Sequence, residues 1–77
     1  MLYGKIYVVS VHNWTTGERS YYVAAGRRTK SIDKAKHFSH EAAEFIRESL
    51  VDGFKKRGEL DNMTVELIYD AIRNGWD

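Results

Sequence analysis

The 77-residue chain contains no cysteine and no proline. Without thiols it can build no disulfide framework, no cysteine nucleophile and no cysteine-ligated zinc site, the staples on which many small folds depend. No proline-rich or low-complexity linker divides it, so one domain spanning residues 1–77 is expected. No apolar run approaches the roughly 18 residues that cross a bilayer, and the opening MLYGKIYVVSV is too short and too interrupted for a signal peptide. A soluble, cytoplasmic protein without a membrane partner is the expectation.

Apolar residues make up 43 % and aromatics 13 % of the chain, enough for one hydrophobic core. At about 0.05–0.15 kcal/mol per residue, a chain of this size holds a net stability of roughly 4–12 kcal/mol. That margin leaves little to support buried polar machinery. Self-association is one way for so small a domain to enlarge its core, and a homodimer burying Tyr3, Tyr7 and Val9 between subunits is one expectation.

The formal net charge of +1 hides an asymmetry. Residues 1–38 carry seven Lys/Arg against two acids, a net +5, whereas residues 39–77 carry five against nine, a net −4. Such halves point to a charged partner for one of them.

Residues 2–12 and 18–25 are rich in Tyr, Val and Ile and read as strands. Between them Asn13-Trp14-Thr15-Thr16-Gly17 supplies turn chemistry, so the two strands form an antiparallel hairpin. Alternation places Leu2, Ile6 and Val8 on one face and Tyr3, Tyr7, Val9 and Val11 on the other. Residues 31–38 read as a single helical turn or an irregular connector. Ser39 is a good N-cap, and Ala42, Phe45, Ile46, Leu50 and Phe54 recur at helical spacing, which predicts a main helix over about residues 40–53 that Gly53 either ends or only weakens. In the tail, Val65, Ile68, Ile72 and Trp76 fit a second helix capped by Asp61 or Asn62 and closed by Asn74-Gly75, while the alternation in MTVELIY keeps a third strand open. The expected fold class is α+β: an N-terminal antiparallel hairpin packed on one main helix, then a second helix or third strand.

Catalytic and metal signatures are weak. His37, His40 and Glu41 in HFSHE do not place two histidines one helical turn apart, so no metal site is expected. Ser10 and His12 share a strand face, but no carboxylate is marked to orient the imidazole. GRRTKS lacks the second glycine and the Gly-Lys-Ser/Thr order of a phosphate-binding loop. An enzyme is therefore not expected, nor a cofactor.

Two charged features remain. Arg27, Arg28, Lys30, Lys34 and Lys36, with His37, lie within eleven residues with only Asp33 opposing, beside Tyr22, a set suited to phosphates or to an acidic protein surface. On the predicted helix Glu41, Glu44, Glu48 and Asp52 form an acidic stripe, about 16 Å long at 1.5 Å per residue, which can occupy a nucleic-acid channel. Both features are also what an ordinary solvated turn and the wet face of an amphipathic helix look like.

From Arg19 to Ile46 the order is strand, GRR, the KSIDKAKHF connector, then FSHEAAEFI opening a helix. This resembles small β-hairpin-plus-helix proteins encoded by phages and mobile elements. One subclass comprises anti-defence inhibitors of the anti-CRISPR type, which bind a host complex without chemistry. The other comprises AP2-like arm-binding domains of integrases, in which a basic three-stranded sheet lies on DNA. The first resemblance implies a host protein or ribonucleoprotein complex as partner, met by Tyr22 and the basic segment; the second implies DNA or RNA met by the same residues. A homo-oligomeric assembly role is the third expectation.

Overall fold

The computed structural model describes residues 7–69, so the expectations for Leu2, Tyr3, Ile6, Ile72, Asn74, Gly75 and Trp76 lie outside the described residues. The Val-rich opening forms strand β1 (Tyr7–Asn13), which returns as β2 (Arg19–Ala24). Asn13 organises the turn between them: its Oδ1 accepts from the amides of Thr15 at 2.9 Å and Thr16 at 3.2 Å. A third strand, β3 (Arg27–Thr29), follows from a tight turn at Ala25-Gly26. The GRR segment is thus partly strand rather than a solvated turn.

After β3 the connector makes one 3-10 turn (Ile32–Lys34), in agreement with the sequence. It then slots in beside β1. The Lys36 amide donates to the Tyr22 carbonyl at 3.3 Å, and Tyr7 and Phe38 exchange backbone hydrogen bonds at 3.0 and 2.7 Å. This splays the β2–β3 hairpin away from β1 at its tip.

Helix α1 spans His40–Lys56. Ser39 Oγ accepts from the Ala42 amide at 3.2 Å, and Glu41 sits in the positive first turn. Replacing Ser39 by alanine removes that cap, and a loss of about 1 kcal/mol in urea denaturation is expected. At the far end Gly53 lies inside the helix, and Gly58 terminates it. Gly58 takes φ of 74°, and the Gly58 and Glu59 amides donate to the Lys55 and Phe54 carbonyls at 3.1 and 2.8 Å, a left-handed glycine stop. The helix therefore continues past the predicted end because a glycine with helical dihedrals only weakens a helix, whereas a positive φ ends it.

The tail corrects the helical expectation. Asp61 and Asn62 belong to a 3-10 turn (Leu60–Asn62), and residues Met63–Tyr69 form strand β4. It pairs antiparallel along the whole of β1, giving a four-stranded antiparallel sheet in the order β3-β2-β1-β4. Pairing with β1 outweighs the local 3.6-residue spacing because a lone hairpin is at best marginal in water. The register also sets Val65 opposite Val11 and Leu67 opposite Val9, on the face that α1 covers. Trp14 at the β1–β2 turn locks this register: its amide donates to the Asn62 carbonyl and its indole Nε1 to Thr64 Oγ1, each at 2.8 Å.

The core lies between sheet and helix, where Val9, Val11 and Val65 meet Ala43 and Phe54, with Ile46, Leu50, Val51 and Leu67 packed around them. Each fully buried side chain of this size contributes about 1.5–3 kcal/mol. Val9 is thus consumed by the monomer's own core, and Tyr7 packs edge-on against His40 and Tyr69, so the expected subunit contact through Tyr7 and Val9 does not form a free face. On the opposite sheet face Val8 and Ser10 are also fully buried. The Ser10 hydroxyl is satisfied by Arg19 Nη1 at 2.7 Å, which avoids the roughly 1–3 kcal/mol that an unpaired buried polar group costs.

Candidate interaction groove

The splayed hairpin and the C-terminal half of α1 leave a groove at their seam. Leu50, Phe54 and Arg57 follow i, i+4, i+7 and so project from one side of the helix toward β2 and β3. Together with Tyr22, Ala24, Gly26, Arg27 and Arg28 they enclose a concavity of about 260 Å³. Phe54 is 2 % exposed at its base. The guanidinium groups of Arg28 and Arg57 lie 5.9 and 5.2 Å from its ring centroid, within the range of cation–π attraction.

The sequence-predicted basic residues divide. Arg27 and Arg28 stand exposed on β3, an edge strand, and make no ion pair among the described residues. Lys30 Nζ is held by Glu18 Oε2 at 3.0 Å. Lys34 ends the 3-10 turn, and Lys36 lies where the connector meets the Tyr22 carbonyl. Residues 27–36 thus wrap around the β2 backbone instead of forming one patch. Tyr22 is half-buried on the helix face, its ring 5.9 Å from that of Phe38. Arg57 was missed in the sequence; its signal is the helical spacing from Leu50 and Phe54, carried one turn past the expected helix end.

The acidic stripe is likewise uneven. Glu44 pairs with His40 at 3.5 Å and Arg47 at 3.8 Å, and Asp52 pairs with Lys56 at 3.2 Å. Glu41 and Glu48 make no ion pair among the described residues and border a shallow open hollow with His40, Glu44 and Phe45. Exposed pairs of this kind contribute about 0–1 kcal/mol each.

Ser10 and His12 share a face as alternation requires. The Ser10 hydroxyl is buried and engaged by Arg19, while the His12 ring lies 4.1 Å from that of Trp14 and its buried Nδ1 has no hydrogen-bond partner. Among the described residues no group of three or more His, Asp or Glu could hold a metal ion, and no helix is long and apolar enough to cross a membrane.

Gly26 shapes the groove's lip. Its φ is 74°, and an added Cβ would meet nothing within 4 Å, so Gly26→Ala introduces backbone strain without a clash. A loss of about 1–2 kcal/mol is expected, read as a lowered thermal midpoint.

Fold and groove together define a four-stranded antiparallel sheet with one covering helix and an arginine-lipped cleft at their seam. Comparison with known protein families, curated proteins and solved structures finds no match.

Proposed function

We propose that the protein acts without catalysis, as an interaction module of phage type that inhibits a host nucleic-acid-handling complex by occupying one of its charged surfaces. The observation that carries this is the position of Arg27 and Arg28. Both are exposed, unpaired by acids among the described residues, and set on an edge strand at the mouth of an apolar groove. Arginine forks in that setting suit carboxylates or phosphates, and the apolar base suits a side chain between them.

The placement favours a protein surface over bare nucleic acid. Arg28 lies on the helix side of the sheet, and Arg19, the arginine of the opposite face, is engaged by Ser10 and by Glu66 at 3.5 Å. The sheet therefore presents no free basic face for a duplex, and the helix bordering the groove carries Glu41 and Glu48. A phosphate backbone extended along that helix would meet like charge.

Capture from bacterial lysate with tagged protein, with and without nuclease, tests the proposal. A discrete complex that survives nuclease and is lost with R27A/R28A is the expected result. Capture that vanishes with nuclease would transfer these residues to direct nucleic-acid binding.

A further inference from the structure

Phe45 stands on α1 with 71 % of its surface exposed. Single exposed apolar residues are common on protein surfaces. The surroundings of this one are less so. On one side it borders the acidic hollow of Glu41, Glu44 and Glu48. On the other it borders an apolar concavity of about 300 Å³, lined by Tyr22, Ala25, Gly26, Ile46, Ser49 and Leu50. That concavity shares Tyr22, Gly26 and Leu50 with the arginine-lipped cleft, so a knob, a hole, an acidic patch and a basic hairpin adjoin on one face.

A two-fold symmetric interface uses the same patch on both subunits and so requires each patch to carry both halves of every contact. This face does. We propose that it pairs with a second copy of the chain about a two-fold axis. Each Phe45 enters the other copy's hollow between the hairpin turn and α1, and each arginine-bearing hairpin lies beside the other's Glu41 and Glu48. Glu41, Glu48 and Arg27 make no ion pair among the described residues, so the contact gives each of these charges an opposite one. What favours a second copy is that one patch carries both members of each pair, Phe45 with an apolar hollow and Arg27 with Glu48. The dimer stands independently of the inhibitor proposal; it draws on Arg27, so an acidic partner and the second copy compete for the same hairpin.

Sedimentation equilibrium between about 10 µM and about 1 mM decides the matter, a range that brackets the weak dimers expected of small patches. A reversible monomer–dimer equilibrium is expected. F45S should raise the dissociation constant at least about tenfold, while circular dichroism stays unchanged because Phe45 is outside the core. R27E and E48K should each weaken the dimer, and the double variant R27E/E48K should restore it to within about threefold, since the swap exchanges the two signs across the interface. A monomer across the whole range, a dimer indifferent to F45S, or a double variant no better than either single one would overturn the proposal.

Discussion

Replacing Phe54 by alanine is expected to cost about 3–5 kcal/mol of stability, as much as the whole net stability at the lower end of the range for a chain of this length. Phe54 is the largest side chain in the buried cluster, packed under β1 and β4 beside Ala43. Truncating a buried phenylalanine costs about 3–5 kcal/mol, against a total of roughly 4–12 kcal/mol for a chain of this length. The same ring is the surface over which Arg28 and Arg57 sit, so its loss also removes two contacts worth about 0.5–1 kcal/mol each. Phe54→Leu, which retains most of the volume, should cost much less, about 1.5–2 kcal/mol once the stacking is included. Urea denaturation followed by circular dichroism measures both; a Phe54→Ala loss below about 1.5 kcal/mol would mean that the helix is not anchored through this residue.

The second large effect is functional. R27A/R28A is expected to weaken binding of the proposed anionic partner at least about 100-fold while shifting stability by no more than about 0.5–1 kcal/mol. Both side chains are exposed, and surface substitutions outside special contacts change little, with the Arg28 stacking on Phe54 the one packing loss. Hydrogen bonds to charged groups contribute about 1.5–3 kcal/mol apiece, so losing two removes 3 kcal/mol or more of affinity. Titration calorimetry against the captured partner at two salt concentrations reads this directly. If the partner proves to be duplex nucleic acid, the slope of log K against log salt should flatten by about 1.8, the share of two phosphate contacts. An affinity unchanged by the double substitution would remove both arginines from the interface.

How much of this was legible beforehand follows from the range of the forces involved. The β1–β2 hairpin, its Asn13-centred turn, the Ser39 cap and the 3-10 turn in the connector are set by residues within a few positions of one another. Their signals are local and were read correctly. At Met63–Tyr69 the sequence leaves helix and strand open, because both periods fit Val65 to Ile68 and only the pairing with β1 decides between them. β3 was hidden for a related reason: three residues of Arg-Arg-Thr carry no apolar alternation, and they become a strand only by lying against β2.

The site divides in the same way. Composition and charge spacing singled out Tyr22, Arg27 and Arg28, which the fold brings to one groove. They could not separate these from Lys30, which bonds Glu18, or from Lys34 and Lys36, which the connector carries to the other side of β2. Arg57 joins the groove from twenty-nine positions beyond Arg28 because α1 runs to Lys56 and lies across the sheet. The sequence by itself determined an α+β chain without thiol chemistry, with an N-terminal hairpin, a capped helix and charges of opposite sign in its two halves. Only the tertiary structure decided which strand closes the sheet and which charges remain unpaired, since both depend on contacts between residues tens of positions apart that no local period records.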